Sequence, residues 1–447
     1  MSEPHGGGRI RRDLGAFSAT NIVIANIIGA GIFTTTGIIA GYLPGPGWVL
    51  GCWILGGAIA VAGALCYAEL ATRMPDEGGE YLYLSRLYHP LLGFLTGWTS
   101  FFVGFSAPIA ASAMASSEYL LPASMGAVAG IDPFLLRKLL AIVIIASFTV
   151  LHWSGLRVGS RVQNVLTAIK ILIVIGIAGV GLAGIGASAG AAAGTPQEGT
   201  GGALAFGTAM MLVMFSYSGW NASGYIAGEL RNPRRTIPVS LLTGTGIVIV
   251  LFLAINIFIL RALPYREAAG TIAVVEKAAV AAFGPWMGRG LGLMVGVALL
   301  SSLSAFIMIG PRIYFAMARD RLFFPFAARV HPKHGVPGRS ILIQGALAVV
   351  MVAAGSFEQL MVYLGFALGI FPWLAVAGIF IARRRGIGDE TAVATPLFPV
   401  IPLLFLAVTL VLMVVAFVNR PMESSAAIVT IAAGIPLYYL WKRTVGA

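Results

Sequence analysis

Charge of either sign is scarce in this chain, and acidic charge most of all: 17 Asp and Glu stand against 29 Lys and Arg among 447 residues. Charged residues make up 10% of the sequence, where a water-soluble domain carries about 25%, so a globule with an aqueous surface is excluded. Cysteine is nearly missing as well. Cys52 and Cys66 are the only two; they lie on one expected helix, about 21 Å apart along its axis, too far to bridge. No grouping of His, Cys, Asp or Glu has metal-ligand spacing, and neither a metal nor a cofactor is expected. The apolar segments supply no Ser/His/Asp set that could converge on a reacting bond, which argues against an enzyme.

What the chain has in quantity is apolar sequence. Hydrophobic residues make up 58% of it, in uncharged windows long enough for helices that cross a bilayer, each needing about 20 mostly apolar residues. The spans read 15–41, 48–70, 91–121, 138–154, 162–187, 207–229, 237–261, 287–314, 339–355, 358–382, 396–418 and 424–441. The turn signal Leu43-Pro44-Gly45-Pro46-Gly47 separates the first two, and the total is twelve transmembrane helices in an all-α membrane protein. A net charge of +12 could suggest nucleic acid, but the basic residues mark a membrane side instead. With the N-terminus inside, 20 Lys and Arg fall in cytoplasmic segments and 7 outside, with Lys170 and Arg312 within or at the edge of spans. That asymmetry places both termini in the cytoplasm and makes the lipid bilayer, not nucleic acid, the partner. The cluster Arg9, Arg11 and Arg12 could open a signal peptide, yet the run after it holds Asn21 and Asn26 and no clear small-residue cleavage site. The connection from Gly184 to Gly202 reads as a flexible linker.

The first and sixth spans share an oddity. The first carries Ile28-Gly29-Ala30-Gly31-Ile32-Phe33 in its middle, and the sixth carries Phe215-Ser216-Tyr217-Ser218-Gly219-Trp220-Asn221. Glycine costs a helix interior about 1 kcal/mol relative to alanine, and unpaired backbone in hydrocarbon is tolerated only where it lines a protein cavity. Two such interruptions, each in the first helix of a five-helix half, suggest inverted repeats whose broken helices meet near the midplane. The halves would be 15–187 and 207–382, with 396–441 appended, all within one transporter domain over 1–447. A broken helix offers free N–H groups at a positive dipole end, suited to a carboxylate, and free carbonyls suited to an ammonium. A site with both suits a zwitterion; close packing of small residues is the plainer alternative.

Lys170 lies about 13 Å into the fifth span, counted from Arg161 at 1.5 Å per residue. A lysine at that depth costs about 2.5 to 3.5 kcal/mol on insertion scales and normally faces a polar interior with a role. Glu118 is the one carboxylate well inside a span and reads as a peripheral or gating group. Glu69 and Glu229 read as helix-end residues paired with Arg73, Arg231 or Arg234, and such surface pairs are worth roughly 0 to 1 kcal/mol. His152 reads as a helix-end residue.

At this point the residues resemble the amino acid/polyamine/organocation transporter superfamily, and within it the L-type amino acid transporter family, over nearly the whole chain. IGAGIF at 28–33 is similar to the family's substrate motif. YAELATRMPDEGGEYLYL at 67–84 resembles its loop after helix two, and GLRVGSRVQNVLTAIK at 155–170 its entry into helix five. FSYSGWN at 215–221, ELRNPRRTIP at 229–238 and PRIYFAMARD at 311–320 follow in the family's order. The resemblance implies a five-plus-five inverted-repeat (LeuT-like) fold that works by alternating access. It implies that the amides of Gly29, Ala30 and Gly31, with Ile32 beside them, bind the substrate carboxylate. The carbonyls of Ile28, Phe215, Ser216 and Ser218, with Gly219 in the same break, would be available to the amino group, and Phe215 would be the outer gate. Lys170 would sit where sodium-coupled relatives hold an ion, near the carbonyls of Ala25 and Ile28 and the hydroxyls of Ser301 and Ser302.

Those implications make the chain a sodium-independent carrier of neutral L-amino acids in the plasma membrane, by exchange or uptake. Proton-coupled uptake through Lys170 is the nearest alternative. A cationic amino acid or polyamine carrier would want a buried carboxylate in the site, and a non-transporting sensor would share the same residues. Animal members join a heavy chain through a cysteine in the loop after helix three; Pro122 to Leu136 has none, so no heavy-chain subunit is expected. Ser216 and Ser218 stand where the family pattern often has Ala and Gly, and are expected to narrow the pocket.

Overall fold

The computed structural model describes residues 14–76, 78–121, 132–185, 201–319, 322–331, 336–388 and 392–445. Most of the loop from Pro122 to Leu136 and of the linker from Gly184 to Gly202 lies outside them, as do Arg9, Arg11 and Arg12.

The described residues are helical throughout, apart from one isolated bridge between Leu14 and Leu230. In order they form α1 (Ala16–Ile27), α2 (Ala30–Ala40), α3 (Pro46–Arg73), α4 (Glu80–Leu87) and α5 (Pro90–Thr99), which runs through a π-helical turn (Ser100–Ser106) into α6 (Ala107–Leu120). Then come α7 (Pro133–Trp153), α8 (Leu156–Ala183), α9 (Ala203–Ser216), α10 (Ala222–Tyr225), α11 (Pro233–Ala262), α12 (Tyr265–Ala268) and α13 (Val274–Phe283). The chain ends with α14 (Pro285–Arg319), α15 (Gly338–Ala354), α16 (Phe357–Arg384), α17 (Val400–Asn419) and α18 (Pro421–Val445). Helices α3, α5, α7, α11, α14 and α18 open on proline, which is pre-shaped for the first helical turn and lacks only an N–H that would have no partner there. Among the described residues ten helices are long and apolar enough to cross a membrane, counting α1 with α2 and α5 with α6 as single passes; α9 and α15 are shorter apolar helices.

Two expected spans are interrupted. The first stops at Ile27 and restarts at Ala30, and the helix expected over 207–229 ends at Ser216, gives way to turns over Tyr217–Asn221, and resumes only as the four-residue α10. Around these interruptions α11 packs against both α3 and α8, and α14 packs against both α6 and α8. Helix α17 packs against α9 and α16, and α18 against α16 and α5.

One face of the bundle is covered by α12 and α13, which lie over α2. Gly270 N–H donates to the Gly37 carbonyl at 2.8 Å, and the Tyr265 hydroxyl donates to the Leu43 carbonyl at 2.8 Å. A Cβ on Gly37 would lie 1.9 Å from the carbonyl oxygen of Thr271, so the approach requires glycine. The opposite face carries α4 and the start of α1, where the Leu14 backbone pairs with Glu229 and Arg231.

Glu69 departs from its expected surface role. Its side chain is 0% exposed and accepts from Arg73 Nε at 2.9 Å, from Arg383 Nε and Nη2 at 2.8 Å each, and from the Thr395 N–H at 2.8 Å. It joins α3 to α16 and to the segment leading into α17, so desolvation makes the network far more consequential than an exposed pair. His152 lies in the last turn of α7, as expected, and is buried there, its Nε2 lying 2.8 Å from Ser304 Oγ.

Candidate substrate site

Between α1 and α2 only Ile28 and Gly29 leave the helical conformation, at φ −73° ψ 92° and φ −124° ψ −155°. The amides of Gly29, Ala30, Gly31 and Ile32 therefore begin a new helix with no carbonyl one turn back to receive them, at the positive end of the α2 dipole. Ala30 and Ile32 bury their side chains.

The second break meets the first. Gly219 has φ +100°, and a Cβ there would lie 2.9 Å from the carbonyl carbon and oxygen of Asn26; both conformation and space select glycine. A Cβ on Gly31 would lie 2.4 Å from Ser216 Oγ and 2.6 Å from Ser216 Cα, so α2 and α9 cross with backbone nearly on backbone. Ser216 Oγ lies 2.8 Å from Thr35 Oγ1 and donates to the Leu212 carbonyl at 2.9 Å. The Ser216 hydroxyl is thus spent on the helix crossing.

The carbonyls divide into two groups. That of Phe215 accepts the Ser218 N–H at 2.9 Å, and that of Ile28 accepts Lys170 Nζ at 2.9 Å, so neither is as free as expected. Those of Ser216 and Ser218 accept no backbone hydrogen bond from the turn that follows. Phe215 is half-buried at the end of α9, and Ser218 is half-buried in the turn.

Lys170 stands midway along α8 with 3% of its surface exposed. Besides the Ile28 carbonyl, it donates to Ser302 Oγ at 3.4 Å. Ser301 pairs instead with Thr167 at 3.1 Å, and Thr167 accepts from Gln163 Nε2 at 3.0 Å. No hydrogen bond connects Lys170 to Ala25. Of the four groups expected around the ammonium, Ile28 and Ser302 bond it while Ala25 and Ser301 do not.

Glu118, at the end of α6, pairs with Arg137 at 2.6 Å. Both line a cavity of about 510 Å³ with Glu276, Lys277 and the segment Gly270–Ala273. Among the described residues no three His, Cys, Asp or Glu side chains gather as a metal site.

Facing breaks, free amides, free carbonyls and a buried lysine in one place are complemented by comparison with known proteins. The family of amino acid permeases matches residues 14–439. The chain belongs to that family. The permease is 29% identical over 439 residues to the serine/threonine exchanger SteT of Bacillus subtilis, covering 97% of this chain and 98% of that one. It is 28% identical to the b(0,+)-type amino acid transporter 1 of Mus musculus, over 97% and 88% of the two chains. Against the large neutral amino acids transporter small subunit 2 of Homo sapiens the identity is 27%, over 97% and 81%. The permease is therefore a multi-pass membrane carrier of the amino acid transport class, not an enzyme.

Sequence reasoning missed Thr35, and it quoted Thr167 and Asn221 within motifs without giving either a role. The run Thr34-Thr35-Thr36 in an otherwise apolar helix was the available signal: Thr34 donates to the Ala30 carbonyl at 2.9 Å, Thr35 joins Ser216, and Thr36 donates to Asn256 on α11.

Proposed function

We propose that this permease exchanges neutral L-amino acids across the cell membrane without sodium, by alternating access. The observation that carries the reading is Lys170, whose ammonium is bonded to the carbonyl of Ile28 at the helix break. A fixed cation there performs the service a coupling ion would otherwise provide. The amides of Gly29, Ala30 and Gly31 take the substrate carboxylate, and the carbonyls of Ser216 and Ser218 take its ammonium. None of the residues forming the two breaks is acidic, which favours a neutral side chain over a cationic one. SteT is a serine/threonine exchanger and the human relative a transporter of large neutral amino acids, and both agree with this reading.

The reading includes twelve spans, with α9 and α15 as the two short ones, in five-plus-five inverted repeats, and both termini in the cytoplasm. The face under α12 and α13 is then the outer one, and it is closed. All eleven residues of α2 are buried, and the Tyr119 hydroxyl donates to the Phe33 carbonyl at 2.5 Å. By contrast α1 exposes Phe17, Asn21 and Asn26, which supports an inner side that is the open one. Phe215 serves as the outer gate, and the chain works without a heavy-chain subunit.

The test is uptake of labelled L-alanine into sodium-free proteoliposomes, loaded with neutral amino acids or empty. Strong uptake into loaded vesicles alone supports exchange; a requirement for sodium overturns the role given to Lys170. A second reading, proton-coupled uptake through Lys170, is favoured by one feature: its bonded partners, Ile28 and Ser302, are neutral, so no carboxylate pins its proton. Uptake driven into empty vesicles by a pH gradient would select it.

A further inference from the structure

Helix α4 is too short to cross the bundle, yet with the glycines before it and with α3 it grips the far side of the second break. Gly78 N–H donates to the Tyr225 carbonyl at 3.2 Å. Gly79, at φ +53°, lies under the Tyr225 ring, where a Cβ would come within 2.5 Å of Cδ1. The Tyr83 hydroxyl donates to the Gly224 carbonyl at 3.4 Å, and the Tyr67 ring meets Trp220 edge-on at 4.8 Å. At the centre is Glu80, whose Oε1 accepts both the Tyr67 hydroxyl and Asn221 Nδ2, each at 2.6 Å.

Glu80 is 2% exposed, and its other oxygen, Oε2, is buried with no hydrogen-bond partner. Among the described residues no basic side chain pairs with it. The titratable groups facing it are phenols: Tyr67 on α3, Tyr83 on its own helix and Tyr225 on α10. A buried carboxylate without a counter-charge is costly, and a glutamine of the same shape would keep an acceptor at Oε1 at lower cost. What the carboxylate adds is a charge-assisted bond, roughly twice as strong as a neutral one, directed at Asn221. That residue ends the turn between α9 and α10. The other edge of the same turn is fixed by Ser216 against Gly31 and Thr35, and its middle by Gly219 against Asn26.

We propose that Glu80 is a positioning residue for the substrate site, acting through Asn221 to hold the inner edge of the second break in register with the first. The inference rests on the reading of the two breaks as the substrate site. Glu80 touches no substrate; its effect is on the placement of the Ser216 and Ser218 carbonyls.

The test compares the full-length carrier with Glu80→Gln, Asn221→Ala and the double variant in proteoliposomes. Glu80→Gln is expected to keep or raise the unfolding temperature while raising the KM for exchange about fivefold per folded carrier, a fraction of what loss of a charge-assisted bond can cost. Asn221→Ala is expected to raise KM by a similar factor, and the double variant no further than the larger single effect, because the two share one interaction. A KM for Glu80→Gln within twofold of the parent, or single effects that multiply in the double, overturns the proposal. A second measurement needs no substrate: the rate at which a membrane-impermeant methanethiosulfonate modifies Ser218→Cys, with the parent, whose Cys52 and Cys66 are buried, as background. Introducing Glu80→Gln is expected to change that rate several-fold, and an unchanged rate overturns the proposal. If the parent carries no neutral amino acid, the substrate reading fails while the thiol rate still decides the positioning role. If Glu80→Gln does not fold, Asn221→Ala supplies both measurements.

Discussion

Lys170 is bonded to a backbone carbonyl and a serine hydroxyl, without a carboxylate beside it, and this sets what its removal should do. Lys170→Ala leaves the Ile28 carbonyl and Ser302 without their donor, each a loss of about 1 to 3 kcal/mol if no water replaces it. The expected outcome is at least about a tenfold fall in exchange, because about 1.4 kcal/mol at the site is a factor of ten, with the carrier still eluting as a folded species in size-exclusion chromatography. Unchanged KM and maximal rate would remove Lys170 from the mechanism. The depth of this lysine is visible in the sequence, since the distance from Arg161 along a helix is fixed by the rise per residue. Its choice of Ser302 over Ser301 is not. Neighbouring residues on a helix point about 100° apart, and only the rotation of α14 against α8 decides which serine meets Lys170 and which meets Thr167.

Among elements, the crossing of α2 and α9 is the tightest part of the site. Gly31→Ala would place a Cβ 2.6 Å from the backbone of Ser216, and neither helix has a flexible side chain end to yield there. Overpacking of this kind costs about 1 to 3 kcal/mol, so the variant should unfold at lower temperature in a detergent melt and lose most of its exchange. Full activity would mean that the crossing is looser than drawn. The covering helix α13 carries a pH-dependent contribution. Burial lifts the Glu276 carboxyl above its ordinary 4.5, against the opposing pull of Arg289 and Arg137. An acid with a raised value in the folded state favours folding at low pH and loses that contribution as pH rises through the raised value. The unfolding temperature of the parent minus that of Glu276→Gln should therefore shrink as pH rises above the ordinary 4.5, and a constant difference would contradict the assigned shift. The proline-marked helix starts were read late: the expected spans begin at 48, 91, 138, 237, 287 and 424, whereas the helices begin at Pro46, Pro90, Pro133, Pro233, Pro285 and Pro421. Helices α4, α12 and α13 were not legible, because each is too short to show a sustained apolar period and each begins beside charged residues that read as loop.

Across the whole molecule, the Glu69 network joins the second pass to the tenth and to the chain beyond it. Glu69→Gln leaves Arg383 and Arg73 without their charge partner and should cost about 3 kcal/mol, read as a clear fall in unfolding temperature; a change of less than a degree would return Glu69 to the surface role that its position near Arg73 suggests. The membrane class, the interrupted first and sixth spans and the buried lysine were determined by the sequence alone, because they depend on quantities local to the chain: run length, composition and distance along a helix. The pairing of Glu69 with Arg383, of Ser216 with Thr35 and of Glu80 with Asn221 spans 314, 181 and 141 residues respectively. Tertiary structure decided these, because a partner so far along the chain is selected by how each helix is rotated about its axis and where it crosses its neighbours, and the one-dimensional pattern carries neither.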